Sequence, residues 1–194
     1  MILGLAGKAC SGKNSASRFL EERGFLSLDV DKLGHEALEL RRDAVIESFG
    51  NQVANDDGTV NRKALGEIVF GDRKRMKELE SITHPAVFEM VQSFLEENKG
   101  RNLVINAAIL GPAGLDRLCD AVLWVEAPLI HRIIRAFKRD KNKISHIFSR
   151  IRLQRHLTVQ HFFSGVDIYM VRNRGSLSDL KKQVDMFLSD YENF

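Results

Sequence analysis

The feature that most constrains the fold is a glycine-rich loop close to the start of the sequence. The run Gly7-Lys-Ala-Cys-Ser-Gly-Lys13 matches the first seven positions of the phosphate-binding pattern G-x-x-x-x-G-K. It follows a short apolar run, Ile2 to Ala6, that predicts a buried strand, and it precedes a stretch of helical character from Ser15 to Glu22. This order of strand, loop and helix lets the loop amides and the helix N-terminus converge on one anion. A glycine-rich turn without a ligand is the alternative.

Two residues of the loop need separate comment. The pattern ends in Ser or Thr, whose hydroxyl binds Mg²⁺, but this position is Asn14 and Ser15 follows it. An amide oxygen can ligate a hard cation directly or through a water, so Asn14 is a candidate metal ligand. We predict that Cys10 is a small side chain that the loop tolerates rather than a reactive thiolate, and that Cys119 is a buried apolar residue.

The remaining apolar runs predict an α/β fold. Four of them are typical of strands: Phe25 to Val30, Leu103 to Leu110, Ala121 to Val125 and Ile168 to Val171. Apolar residues at helical spacing predict helices over Thr83 to Glu97 and Ser178 to Tyr191. We therefore expect a five-stranded, mostly parallel sheet flanked by helices. Residues 32–99 carry little strand character and predict a helical lobe between the second and third strands.

Composition excludes several classes of protein. The chain has 194 residues, of which 44% are hydrophobic and 28% charged, so a single globular domain over 1–194 is expected rather than a disordered or fibrous chain. A net charge of +3 is too small for a protein that coats nucleic acid, and no apolar run is long enough to span a membrane. The start of the sequence does not resemble a signal peptide, and two cysteines make no disulfide framework. We expect a cytoplasmic protein.

Two carboxylates mark the end of the second predicted strand. Asp29 and Asp31 would face the same side if the strand continued through both, at the edge of the sheet where ligands gather. A carboxylate there can accept the proton of an attacking hydroxyl or hold hydrated Mg²⁺. The alternative for Asp31 is that it caps a helix from Lys32 to Leu40. In the same way, His84 before Pro85 could simply open a helix, because proline is favoured at the first helical position.

The segment from Leu129 to Phe163 is strongly basic. It holds nine lysines and arginines, four histidines and one acid, Asp140. A solvated helical face is one interpretation, and an anion-binding segment is the other. RNA binding is a weak interpretation, because the aromatic residues of the segment are too few to alternate with its charges.

An ordered set of motifs resembles the dephospho-CoA kinase family along the whole chain. After the loop come Asp31-Lys-Leu-Gly-His35, a D-G-x-h-x-R-x-x-L element from Asp57 to Leu65 (h is apolar) and His84-Pro85. The basic segment then resembles R-x-x-x-R-D … R-I-x-x-Q, from Arg135 to Gln154, and Asn173 precedes a Gly-Ser turn. The phosphate loop is shared by many families, whereas the ordered set is much more specific.

The resemblance implies a P-loop kinase that moves the γ-phosphoryl of ATP to the ribose 3′-hydroxyl of dephospho-CoA, with Mg²⁺. It implies that ATP contacts the loop and a basic lid over 129–163, and that Asp31 is the base or orienting carboxylate, with Lys13 and Arg139 also catalytic. The expected ATP-binding residues are Cys10, Ser11, Gly12, Lys13, Asn14, Ser15, Arg139 and Arg150. The lobe over 32–99 would bind the acceptor through Asp31, His35, Arg62 and His84.

Three positions depart from the family pattern. The family's strand ending D-x-P-L-L-x-E is replaced by the run from Asn106 to Pro112, its Asp-Asn near the end is Arg172-Asn173, and the loop ends in Asn14. The alternatives are therefore a kinase of another small acceptor, such as a nucleoside or nucleotide, and a nucleotide-binding protein without transfer activity. ATP and dephospho-CoA are the expected partners, with no nucleic acid and no membrane, and the sequence leaves the oligomeric state open.

Overall fold

The apolar runs of the sequence assemble into one parallel sheet. The computed structural model describes residues 1–108, 110–139 and 165–192. Its strands are β1 (Ile2–Ala6), β2 (Leu26–Asp29), β3 (Leu103–Asn106), β4 (Ala121–Glu126) and β5 (Asp167–Arg172). Their order in the sheet is β2-β3-β1-β4-β5, and all neighbours are parallel. The predicted five-stranded α/β fold is confirmed.

The helices of the described ranges fill the connections between these strands. They are α1 (Lys13–Glu21), α2 (Val30–Leu40), α3 (Arg42–Phe49), α4 (Arg62–Val69), α5 (Arg73–Glu97), α6 (Leu129–Arg139) and α7 (Leu177–Glu192). Short 3₁₀ turns span Asn51–Val53, Gly111–Ala113 and Leu115–Leu118. None of the helices in the described ranges combines the length and the apolar character that crossing a bilayer requires.

The chain forms two compact units, and the sheet belongs to the first, Met1–Asp29 with Asn98–Phe194. The central strand is β1, whose Leu5 lies opposite Asn106 of β3 and Leu123 of β4. Apolar residues of α1 and α7, including the fully buried Leu20 and Leu180, pack on one face of the sheet. The loop after β1 therefore leaves from the middle of the carboxyl edge, where parallel sheets bind ligands.

Two strands end earlier than the apolar pattern predicts. β3 ends at Asn106 rather than Leu110, because the chain then turns into the two 3₁₀ turns before β4. β2 ends at Asp29, and helix α2 begins at the next residue. Asp31 is therefore in the first turn of a helix. The strand does not continue through both carboxylates, so the condition under which Asp29 and Asp31 would face the same side is not met.

The second unit, Val30–Glu97, is helical and has its own core. Val45, Val53, Leu65 and Val69 are at most 3% exposed and pack together from three separate elements. A turn lies at Asn55 to Gly58, with φ of +79° at the glycine and a hydrogen bond from the Gly58 N–H to the Asn55 carbonyl at 2.9 Å. This unit needs no strand because its apolar residues recur at helical spacing.

Helix α5 is longer than the sequence indicates. It begins at Arg73 because Asp72 caps it: Asp72 Oδ1 accepts from the N–H of Lys74 at 2.8 Å and of Arg75 at 3.2 Å. His84 and Pro85 consequently lie in the middle of a 25-residue helix. The interpretation that they open a helix was wrong, because the real cap lies twelve residues upstream.

The position of Pro85 predicts an unusual effect on stability. Proline inside a helix lacks the N–H that would bond to the preceding turn and its ring crowds that turn, so we expect Pro85→Ala to raise the free energy of unfolding by about 1–3 kcal/mol. Urea unfolding followed by circular dichroism measures this. Gln92→Ala, at an exposed position of the same helix, is the matched control and should change stability by only a few tenths of a kcal/mol. A neutral or destabilising Pro85→Ala would mean that α5 is not continuous through residue 85.

Candidate nucleotide-binding site

The loop between β1 and α1 depends on two glycines with no room for a side chain. Gly7 has φ of +151°, and a β-carbon there would lie 2.4 Å from the carbonyl oxygen of Val125 in β4. Gly12 has φ of +107°, and a β-carbon there would lie 2.2 Å from Nδ2 of Asn173. Cys10 also has positive φ, 61°, which is rare for a residue other than glycine. The backbone of the loop is thus pressed against β4 and against the residue that follows β5.

Two side chains from distant parts of the sequence bind the carbonyls of this loop. Asn173, only 1% exposed, donates from Nδ2 to the Ser11 carbonyl at 2.8 Å. Arg135 of α6 donates from Nη1 to the same carbonyl at 3.1 Å and to that of Cys10 at 3.3 Å. The two side chains also bind each other, with 2.7 Å between Arg135 Nη2 and Asn173 Oδ1. Helix α6 and the end of β5 therefore fix the loop together.

A third side chain binds the carbonyl of Ala9, which directly precedes Cys10. Arg132, one turn before Arg135 in α6, donates from Nε to the Ala9 carbonyl at 2.8 Å. In a trans peptide the C=O and the following N–H point in opposite directions, so the amides of residues 10–12 face away from these side chains. The Ser11 N–H closes a turn on the Lys8 carbonyl at 3.0 Å. The amides of Cys10 and Gly12 face the side on which such a loop binds an anion.

The electrostatics of the loop favour an anion as well. Lys13 is the first residue of α1 and is buried, at 9% exposed, beside the positive end of the helix. Burial lowers the pKa of the guanidiniums of Arg132 and Arg135, but arginine stays charged at neutral pH. Positive charge therefore lies at the helix start and behind the loop carbonyls. The arrangement can bind and orient a polyphosphate.

The predicted nucleotide-binding residues of the loop, Cys10 to Ser15, are consecutive in the sequence and differ in exposure. Ser11 is 1% exposed, and its Oγ has no hydrogen-bond partner among the residues that the structure describes. Asn14 is exposed and Ser15 half-buried in the first turn of α1. Of the two lid arginines, Arg139 is the last residue of α6, and Arg150 lies outside the described residues.

The predicted acceptor-binding residues lie on three helices of the second unit. Asp31 and His35 are exposed and four residues apart in α2, so they share one face of that helix. Arg62 is the exposed first residue of α4. His84 is half-buried inside α5. Their predicted roles toward the acceptor stay predictions.

Three residues of the site were not predicted as such from the sequence. Arg132, Arg135 and Asn173 contact the loop, although Arg132 was seen only as part of a basic segment and Arg135 and Asn173 only as parts of motifs. The pattern that could have found the arginines is their spacing of three, which places both on one face of α6. A polar residue directly after an apolar strand, as Asn173 is after β5, is a second such pattern.

The described residues offer Mg²⁺ only some of the ligands that it needs. No group of three or more His, Cys, Asp or Glu side chains in the described ranges could hold a metal ion. Mg²⁺ in phosphoryl-transfer sites needs only one or two protein ligands, because substrate phosphates and waters supply the others. The amide oxygen of Asn14 is a ligand of the right chemical type, and its exposure in the first turn of α1 leaves it accessible. The residues present fit a Mg²⁺ that arrives with a nucleotide.

The family model and the curated relatives agree on one family. The family model described as CoaE, dephospho-CoA kinase, matches residues 1–178. A dephospho-CoA kinase of Dehalococcoides mccartyi is 33% identical, with 97% of this chain and 96% of that protein covered. One of Lactobacillus johnsonii is 31% identical, with 97% of each covered. The solved structure of TT1252 from Thermus thermophilus has a TM-score of 0.80 at 27% identity, covering 98% of this chain and 97% of that one.

Because Gly12 packs against Asn173, we predict that a side chain at position 12 weakens nucleotide binding. Gly12→Ala would force Asn173 away from the loop, so we expect the Kd for ATP to rise by roughly tenfold or more. Isothermal titration calorimetry with ATP measures this. Gly24→Ala is the matched control, because Gly24 also has positive φ, +86°, but nothing lies within 4 Å of its added β-carbon. Equal ATP affinity in both variants would contradict the contact between loop and Asn173.

The two cysteines should differ in reactivity. Burial, with Asp116 and Asp120 nearby, raises the pKa of the Cys119 thiol to about 12, and this thiol donates to the Leu115 carbonyl at 3.3 Å. At pH 8 only about one molecule in ten thousand would carry the thiolate at Cys119. We expect iodoacetamide to modify Cys10 first and ATP to slow that reaction, as measured by peptide mass spectrometry. The Cys119→Ser variant should be labelled by iodoacetamide at the same rate as the protein with its natural sequence. Preferential labelling of Cys119 would contradict the prediction.

Proposed function

The chain belongs to the dephospho-CoA kinase family, and we propose on that basis that it transfers the γ-phosphoryl of ATP to the ribose 3′-hydroxyl of dephospho-CoA. The products are coenzyme A and ADP. The observation that carries the proposal is the pairing of a family match over residues 1–178 with a phosphate loop whose carbonyls are bound on one side. The family match also disfavours the alternative of a nucleotide-binding protein without transfer activity.

The first unit would bind the phosphates of ATP. The amides of the loop and the N-terminus of α1 offer donors to the β- and γ-phosphates, and Lys13 adds a cation that can follow the charge as it moves to the leaving oxygen. Cys10, Ser11, Gly12, Asn14 and Ser15 complete the proposed ATP-binding set. Asn14 would hold Mg²⁺, which supplies charge neutralisation between the phosphates when bound.

The second unit would bind the acceptor. Asp31 would accept the proton of the 3′-hydroxyl or hold that hydroxyl in line with the γ-phosphorus, since a carboxylate can do either. His35, one turn along the same helix, would contact the ribose or its neighbours from the same face. Arg62 and His84 would bind other polar groups of the acceptor. This is the role that we propose for the lobe over 32–99 within a single kinase domain.

Within the basic segment over 129–163, Arg132 and Arg135 already hold the loop, and the part of the segment beyond them would close on ATP as a lid. Guanidiniums such as those of Arg139 and Arg150 suit the charge on the equatorial oxygens of the transferring group, because they are planar and always charged. Closure would also exclude water, which would otherwise accept the phosphoryl group. A protein with this role works on small molecules in the cytoplasm and needs neither nucleic acid nor a membrane as partner.

The direct test is an assay of ADP release with and without acceptor. We expect ADP release to depend on dephospho-CoA and to be far slower with adenosine, AMP or a sugar acid in its place. Lys13→Met should abolish the release, because the leaving phosphate loses its cation. Equal rates with a nucleotide acceptor would instead indicate a kinase of another small molecule. ATP binding without any acceptor-dependent release would refute transfer activity.

The substitution Asp31→Asn distinguishes a role of Asp31 in catalysis from a role in ATP binding. Asp31→Asn keeps the shape of the side chain but removes its basicity, so we expect kcat to fall by about 10²–10⁴ while the Kd for ATP stays unchanged. Asp43→Asn, at an exposed acid of the same unit, is the matched control and should keep full activity. Normal turnover in Asp31→Asn would rule out the proposed role of Asp31.

A further inference from the structure

One side chain of α7, that of Gln183, binds the backbone of the last residue of β5. Gln183 Oε1 accepts a hydrogen bond from the N–H of Arg172 at 2.8 Å, and Gln183 Nε2 donates to the carbonyl of Arg172 at 3.0 Å. The same Nε2 also donates to the carbonyl of Asp179, one turn earlier in α7, at 3.1 Å. A side-chain amide has two donor hydrogens and one acceptor oxygen, so all three are used here.

The two bonds between Gln183 and Arg172 lie on the open edge of β5. This strand is the last in the order of the sheet, and in the described ranges it pairs only with β4. Backbone groups of successive residues in a strand point to alternate edges. The N–H of Asn173 bonds to the Glu126 carbonyl of β4 at 2.7 Å, so the N–H and C=O of Arg172 point away from β4. Gln183 therefore supplies the donor and the acceptor that a further strand would supply.

The residue held in this way directly precedes Asn173, whose side chain binds the phosphate loop. Asn173 Nδ2 reaches the Ser11 carbonyl at 2.8 Å, and the direction of this side chain depends on the backbone from which it leaves. That backbone is held from both edges of β5, by β4 at Asn173 and by α7 at Arg172. Without Gln183 the end of the strand would be held at this point from one edge only.

Helix α7 also has contacts that fix its own position beside the loop. Leu180, which is fully buried and lies one turn before Gln183, is 3.8 Å from the place that a β-carbon on Gly12 would occupy. Asp185 pairs with Arg23, just after α1, with 2.8 Å between Oδ1 and Nη2. The same helix therefore packs against the loop and against the end of the helix that follows the loop. A side chain on α7 is well placed to fix β5 relative to both.

We propose that Gln183 is a positioning residue for nucleotide binding: it fixes the end of β5 so that Asn173 can hold the phosphate loop in its binding conformation. The inference rests on the proposed binding of ATP by the loop and on no property of the acceptor. Another task for Gln183 would be only to cover an open strand edge, which could otherwise pair with another chain. That task could be performed anywhere along β5, whereas Gln183 binds the residue directly before Asn173.

A double-mutant cycle tests whether Gln183 acts through Asn173. Gln183→Met keeps the length of the side chain but removes both bonds to Arg172, so we expect the Kd for ATP, measured by calorimetry, to rise about threefold to tenfold. In the Asn173→Ala background the same substitution should have little further effect, because two residues that act through one contact are not additive. The same rise in both backgrounds, or no rise in either, would overturn the proposal.

The matched control is Lys181→Met, two residues earlier in α7. It removes the ion pair with Glu22 but leaves the bonds of Gln183 in place, so the Kd for ATP should not change. An equal rise in Lys181→Met would show that any weaker attachment of α7 reduces ATP binding, and would refute the specific role of Gln183. Gln183→Glu is a second variant of similar size, and it should weaken ATP binding as well, because its carboxylate cannot donate to the Arg172 carbonyl.

Hydrogen exchange of the nucleotide-free chain gives a readout that needs neither ATP nor acceptor. We expect the amides of residues 7–16 to exchange faster in Gln183→Met than in Lys181→Met, because the loop loses part of its support. Equal exchange in the two variants would refute the role of Gln183 whatever the chain binds. Absence of ATP binding by the natural sequence, with faster exchange in Gln183→Met, would instead refute the proposed function and leave the structural link between Gln183 and the loop intact.

Discussion

The phosphate loop owes its conformation to hydrogen bonds that its carbonyls accept from outside. Asn173 and Arg135 bind the carbonyl of Ser11, and Arg132 binds that of Ala9. A short glycine-rich loop has many conformations in solution, and fixing it only when the nucleotide binds would weaken affinity by the entropy of that ordering. These contacts order the loop in advance. They also turn the peptide dipoles so that amides, and not carbonyls, face the anion side.

This constraint explains why residues far apart in the sequence must fold together before the loop can function. Asn173 is positioned by β5, which pairs with β4, and Arg132 and Arg135 are positioned by α6, which follows β4 directly. The loop itself follows β1, the other neighbour of β4. The strand before the loop, β1, and the two elements whose residues hold the loop, α6 and β5, are therefore all direct neighbours of β4 in the sheet or in the sequence.

The sequence predicted those parts of the structure that depend on local pattern. The apolar runs identified all five strands, because a buried strand requires consecutive apolar residues. The loop was found from the fixed spacing of its glycines and lysine and from its place between a strand and a helix. Element boundaries that depend on which of two signals is stronger were missed. Helix α5 begins after its cap, Asp72, and not at Pro85. Helix α2 begins at Val30, inside a run that the sequence predicted to be a strand. The roles of Arg132 and Asn173 were also missed. Their contacts with the loop span more than a hundred residues of sequence, and no local pattern encodes such a distance.

The same argument separates the two arginines of α6. Both terminal nitrogens of Arg135 are bound, Nη1 to loop carbonyls and Nη2 to Asn173, so its charge helps to fix the backbone. Arg132 lies on the same face of α6 but binds a different carbonyl of the loop, that of Ala9, and its Nη2 is buried without a hydrogen-bond partner among the described residues. Burial of this guanidinium beside Lys8 costs free energy, and the charge-assisted bond to the Ala9 carbonyl offsets part of that cost. The two arginines of α6 therefore hold consecutive parts of the loop backbone, Arg132 at the Ala9 carbonyl and Arg135 at those of Cys10 and Ser11.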